Sequence, residues 1–183
     1  MVMMVQESQR IEDEALPVAG LAAALRLPDG YDAVPGQVER LRSRLRAAIA
    51  TVEDRTGRIL VRRELKLQGV ATGGVRQVLP VTPVSAILES WVQRGLAVVA
   101  LGHAVVEPRP HRPVAVFERA LRPGATVQMT VTAGYGAWAD VPAPLQAAVL
   151  TIAQGLDLGQ DVREEAAALL APYRSVRIGG GVS

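Results

Sequence analysis

Apolar positions along residues 34–55 recur with the period of an α-helix. At 100° per residue Val38, Leu41, Leu45, Ala48, Ile49 and Val52 fall within an arc of about 100°, a single buried stripe. Gly57 stands just beyond, where a left-handed C-terminal cap belongs. Before this helix, residues 17–27 read as a shorter one with Leu21, Leu25 and Val18 on one side, ended by Pro28-Asp29-Gly30. From residue 60 to 132 the period falls to two. Val61, Leu65 and Leu67 share one strand face and Arg62, Glu64 and Lys66 the other. Thr72-Gly73-Gly74 forms a turn into a strand over 75–79. Arg94-Gly95 separates two apolar runs as a hairpin, and Pro108, Pro110 and Pro113 mark a connector. Val127, Met129 and Val131 alternate with threonines in the last strand. The connections are too short for helical crossovers, so this middle is antiparallel.

Helical periodicity returns over 142–159, with Leu145, Val149, Ile152 and Leu156 on one stripe. Asp161-Val-Arg-Glu164 has the form of a capping box and starts a final helix, which Pro172 ends. The fold class is therefore α+β, with terminal helices packed as a small bundle and a central antiparallel β block. One domain spans 1–183: helices at 17–57 and 140–172, a β insert at 59–133, and flexible ends at 1–15 and 173–183. The β block is expected to project from the helices.

Composition narrows the chemistry. A 183-residue chain that is 49% apolar buries a sizeable core, yet aromatics make up only 3%, so Ala, Val, Leu and Ile must fill it. Exposed rings for stacking bases are correspondingly scarce. The formal charge is +2, and Lys66 is the single lysine among the basic residues. With no cysteine, disulfides, thiol nucleophiles and thiolate metal sites are excluded. The opening residues do not read as a signal peptide, and the longest apolar run, 96–106, is too short to span a bilayer.

Candidates for catalysis are poor. His103, Glu107 and His111 are spaced four and four, but Pro108 and Pro110 break any helix that would align them on a metal. Gly134-Tyr135-Gly136 lacks the further glycines of a dinucleotide fingerprint and reads as a turn. No serine sits in a Gly-x-Ser-x-Gly elbow. The acids Asp161, Glu164 and Glu165 complement a helix N-terminus. Neither a cofactor nor a metal is expected. More informative is the long helix. Arg42 and Arg46 lie near Glu39 and Glu53, whereas Arg40, Arg44 and Arg55 line the opposite flank with no acid on their own face. That flank is either solvated or faces a neighbouring subunit or DNA phosphates.

Four stretches in this order resemble the head–tail connector, or adaptor, family of tailed phages and its gene-transfer-agent relatives. They are Leu21-Ala-Ala-Ala-Leu-Arg-Leu27 with its acidic turn; residues 47–60, a helix ending in Thr56-Gly57-Arg58; Leu79-Pro-Val-Thr-Pro-Val-Ser-Ala-Ile87; and Thr132-Ala-Gly-Tyr135 through Asp140-Val-Pro, closing on Leu-Leu-Ala-Pro-Tyr173-Arg174. Together they cover about residues 17–175. One departure is Gly155-Leu-Asp-Leu-Gly159, which stands where many relatives carry an aromatic segment. The resemblance implies a structural protein without an active site, working in the virion or phage-like particle at the head–tail junction and assembled in the bacterial cytoplasm. It implies a homo-oligomeric ring, usually a dodecamer, with portal protein on one side, stopper or tail proteins on the other, and double-stranded DNA passing without sequence-specific contact; no membrane is involved. Candidate contacts with subunit, portal or DNA are Arg40, Arg44, Arg55, Tyr173, Arg174 and Arg177. The tail from Arg174 is expected to order against the portal. The alternative reading, motivated by the arginines, is a DNA-binding accessory or regulatory protein.

Overall fold

A computed structural model describes residues 3–94 and 97–173. Gly95 of the expected hairpin, and the tail with Arg174 and Arg177, lie outside the described residues. The elements run β1 (Met4–Ser8), α1 (Val18–Ala24), α2 (Gln37–Thr56), β2 (Arg63–Val70), β3 (Gly74–Val78), β4 (Val84–Arg94), β5 (Ala97–Ala100), β6 (Ala104–Glu107), β7 (Val114–Leu121), β8 (Thr126–Ala133), α3 (Ala143–Leu158) and α4 (Arg163–Leu170), with short 3₁₀ turns between some of them. The chain gathers into two compact units, Met1–Leu16 with Arg58–Val141, and Pro17–Gly57 with Pro142–Ser183.

The helical unit follows the periodicity. Leu41, Leu45, Ala48, Ile49 and Val52 of α2 are buried, and so are Leu145, Ala148, Val149, Ile152 and Ala153 of α3. The helices α1, α2 and α3 pack on one another, and α4 packs mainly on α3. Small side chains set the spacing. A Cβ on Gly155 would lie 2.6 Å from a methyl of Val162, so glycine is what lets the segment entering α4 lie against α3. The α1 helix stops at Ala24, earlier than the turn at 28–30 suggested. Arg26 takes a left-handed backbone (φ +54°), and the Gln154 side-chain amide donates to the Ala24 carbonyl at 2.7 Å. Gly57 closes α2 as a left-handed cap (φ +67°), its N–H donating to the Glu53 carbonyl.

Two expectations for this unit are corrected. Leu156, placed on the buried stripe of α3, is 43% exposed; it lies in the last turn of the helix, and the stripe continues there past the side chains that cover it further back. The capping box at 161–164 does not form. Val162 is the N-cap residue, and the Asp161 carboxylate instead accepts from the backbone N–H of Arg163.

The second unit is all-β. One sheet has the order β1-β2-β8-β4-β5 and the other β3-β7-β6, every pairing antiparallel. Leu65, Leu67, Leu79, Phe117, Val127, Met129 and Val131 fill one core between them. The alternation seen in the sequence is the alternation of faces: Leu65 and Leu67 are buried, Glu64 and Lys66 exposed. Gln77 is fully buried yet satisfied. Its carbonyl accepts from the backbone and hydroxyl of Thr72 and its amide donates to the Gly73 carbonyl, pinning the 72–77 turn. The segment 1–15, expected to be flexible, instead supplies β1 at the sheet edge. Met3 is buried against Gly69, where a Cβ would come within 2.6 Å of the Met3 backbone, and the Arg63 guanidinium donates to the Ser8 hydroxyl. The polar composition of 6–14 concealed an edge strand, which needs only one apolar anchor.

Where the chain enters and leaves this block, the two passages lie backbone against backbone. A Cβ on Gly134 (φ +118°) would lie 2.6 Å from the backbone of Arg62. Gly124 shares the left-handed backbone (φ +82°) with open space around it. Replacing each with alanine should therefore separate strain from collision. Gly124→Ala is expected to cost about 1 kcal/mol, and Gly134→Ala about 3 kcal/mol or more. Urea denaturation of the two variants measures this; equal losses would show that the close approach carries no weight.

Candidate functional site

The arginine flank of α2 acquires a partner that its own helix does not supply. Asp157, near the end of α3, lies 3.4 Å from the Arg40 guanidinium and 3.8 Å from that of Arg44. Its side chain is 6% exposed, against 45% for Arg40 and 41% for Arg44. Two cations thus converge on one nearly buried carboxylate, leaving a surplus positive charge on a half-exposed surface. The pairing is ionic more than hydrogen-bonded, since Asp157 Oδ1 and Arg44 Nε are both buried without a hydrogen-bond partner. The third member of the flank, Arg55, is exposed in the last turn of α2, where a cation complements the helix dipole. On the other flank Glu39 meets Arg42 and Arg46, each at 3.7 Å. Tyr173 is half-buried at the end of the last 3₁₀ turn.

Asp157 was legible in principle. It is the single charged residue of α3, and a lone acid in an otherwise uncharged helix needs a cationic partner when buried. It also sits in the middle of the Gly155–Gly159 stretch that departs from the aromatic pattern.

A second cluster lies in the β unit. The Arg58 guanidinium donates to the Tyr135 hydroxyl at 2.8 Å and to the Pro110 carbonyl at 3.3 Å, with His111 Nδ1 at 3.5 Å. The Tyr135 N–H bonds the Leu60 carbonyl, the Gly134 N–H the Pro83 carbonyl, and the Arg62 N–H the Gly136 carbonyl. Arg58, Pro83 and Gly134-Tyr135 each belong to a different stretch of the resemblance, and the fold brings them to one corner. None of this is arranged as a nucleophile with a base. His103 is exposed on a loop, and Glu107 is engaged by Arg76 and Arg109. Among the described residues no group of three metal-ligating side chains comes together, and no helix is long and apolar enough to cross a membrane.

A cavity of about 690 Å³ opens in the same unit between the end of β5 and the β7–β8 turn, lined by Val92, Val99, Leu101, Leu121 and the charged Glu118 and Arg122 among others. It contains no paired catalytic groups.

The fold has counterparts among known structures. The chain matches the structure described as the neck of an empty GTA particle computed with C6 symmetry, at 30% identity over 99% of both chains and a TM-score of 0.81. It matches a chain from the virion of a native gene transfer agent particle at 30% identity over 99% of both, with a TM-score of 0.77. A chain from the neck of a native GTA particle computed with C12 symmetry is 31% identical over 97% of this chain and 98% of that one, with a TM-score of 0.73. The chain belongs to the gene-transfer-agent head–tail connector family. No protein-family profile matches it, and no curated protein does.

In this connector the Asp157 clamp is a stability element of the helical unit. Asp157→Ala should leave two arginines facing each other without an acid and lower stability by about 1–3 kcal/mol. Adding Arg44→Ala should recover part of that loss in a double-mutant cycle. Additive losses would show that the two residues do not interact.

Asp161 offers a titration test of the fold around α4. Its carboxyl is held down at about 2, from an ordinary 3.8, first by the side-chain hydrogen bonds from Arg163 and then by the Arg163 N–H. A folded-state value below the unfolded one stabilises the protein above about pH 3.8, and the benefit is lost as pH falls through about 2. The carboxyl carbon shift of Asp161 is expected to titrate near 2, and to move upward in Arg163→Ala. A midpoint at 3.8 in the parent protein would refute the pairing.

Proposed function

We propose that this protein is a structural adaptor of a gene-transfer-agent-like particle. Copies form a ring beneath the portal, extend the DNA channel and dock the stopper or tail proteins. The observation that carries this reading is similarity over essentially the whole chain to chains from particle necks reconstructed with sixfold and twelvefold symmetry. The particle neck is then its location, a homo-oligomeric ring its working state, and no catalysis is required of it. The lack of an assembled nucleophile, base or metal group among the described residues is compatible with that role.

Within this reading Arg40, Arg44 and Arg55 face a neighbouring subunit or the channel, and Tyr173, Arg174 and Arg177 belong to the end that meets the portal. Support for the first set is physical. After Asp157 is counted, the flank still carries surplus positive charge, which suits the passage of a polyanion held by counterion exchange without base readout. The alternative of a free DNA-binding module rests on the arginines alone, which suit phosphate contacts as well as base contacts.

Particles produced without this protein should have DNA-filled heads and no tails by electron microscopy, and supplying the protein in trans should restore tails. Tailed, infective-looking particles in its absence would overturn the proposal.

A further inference from the structure

The five-stranded sheet has two open edges, β1 and β5, and β5 is unlike the edges of its companion sheet. In the three-stranded sheet the edge strands β3 and β6 carry Arg76 and Glu107, which pair with each other across the outer face. Charges of this kind are how soluble proteins discourage strand addition. The edge strand β5, by contrast, is Ala97-Val98-Val99-Ala100, with no charge, proline or glycine, and all four residues are exposed, Val98 by 62%. Among the described residues β5 pairs only with β4. At the far edge, β1 begins with Met4 and Val5, which are 64% and 41% exposed, and pairs only with β2. One sheet therefore presents a wholly apolar border at β5 and, at β1, a mixed border that opens on Met4 and Val5 and continues through Gln6, Glu7 and Ser8, each paired on one side among the described residues.

We infer that these borders meet between copies of this chain: the β5 edge of one subunit receives the β1 edge of the next, so that the sheet continues around the ring. The inference rests on the ring reading above and gives it an interface. Strand direction supports this partner over others. Every neighbour in the sheet is antiparallel and three strands separate β1 from β5, so β1 and β5 run the same way. A rotation of a twelfth of a turn leaves the next subunit's sheet in nearly the same orientation, which brings its β1 beside β5 in parallel. Pairing β5 with β5 would need a two-fold axis and would close as a dimer, since such a contact uses the same patch on both sides. A ring needs a contact between two different patches, and the two ends of one sheet are such a pair. The junction is short, four residues on the β5 side, so it forms when copies are already held side by side and contributes little to a free pair in solution.

The chain has no cysteine, which makes a cross-linking test clean. Particles are assembled with the double variant Val5→Cys/Val98→Cys, with Met4→Cys/Val99→Cys to allow for register, and with each single variant. They are treated with a short bismaleimide and separated on a denaturing gel. The double variants should give a ladder of monomer multiples extending beyond dimer, while Val5→Cys and Met4→Cys alone stay monomeric. A product that stops at dimer, or dimers from Val98→Cys alone, would overturn the heterologous contact. So would the absence of cross-links in particles that retain the protein by immunoblot, and in that case the ring reading survives. Loss of the unmodified protein from purified particles would instead overturn the ring reading, and this inference with it.

Discussion

The β unit depends on a backbone contact that only glycine permits. The chain enters the unit at Arg58 and leaves it at Val141, and the two passages run together at Val61, Arg62, Gly134 and Gly136. Gly134 lies so close to the Arg62 backbone that no side chain fits between them. Around this contact each exposed backbone group finds a partner on another pass of the chain: Ile59 on Thr82, Gly134 on Pro83, Tyr135 on Leu60. Arg58 fastens the corner from outside through the Tyr135 hydroxyl. With entry and exit fixed, the seven strands between them, β2 to β8, are a closed excursion to which β1 adds from the N-terminal side, and residues 17–57 and 142–173 are free to form a helical unit of their own.

This explains why weak motifs carried a specific signal. Thr-Gly-Arg, Leu-Pro…Pro-Val and Ala-Gly-Tyr are each common, and none performs chemistry. They are separated by tens of residues yet hydrogen-bonded to one another, so their order and spacing record a tertiary contact. Amphipathic stripes were equally readable, because α2 from Leu41 onward and the first three turns of α3 bury the residues that the 3.6 period selects, Val38 in the first turn of α2 being half-buried. The strand faces of β2 and β8 followed from alternation for the same reason.

What the sequence hid has one physical cause: it depends on which neighbour a residue meets. Leu156 obeys the period of α3 but is left exposed in its last turn. Asp157 breaks the apolar pattern but meets two arginines from α2, so the flank that seemed to lack an acid has one supplied from another helix. Asp161 sits at the position of a cap and uses its carboxylate on Arg163. The segment 4–8 is polar enough for a mobile end and becomes a strand because β2 offers it a ladder and Gly69 leaves room for Met3. Periodicity reports an element's own faces; partners across helices and sheet edges lie beyond its reach.

The same distinction bears on assembly. A protein that works alone guards its sheet edges, because an unguarded one templates aggregation. Here the edge strands of one sheet are joined by an ion pair, and the other sheet ends on one side in β5, a strand with no charge. The strands concerned are short, and short borders gain little from chance encounters between free molecules. They gain much more when a template raises the local concentration of the partner edge, since the cost of bringing two copies together has then already been met by other contacts. An edge of four apolar residues is thus long enough to lock neighbours in an organised ring and too short to gather them in solution. Such a surface restricts joining to the place where a joint is needed.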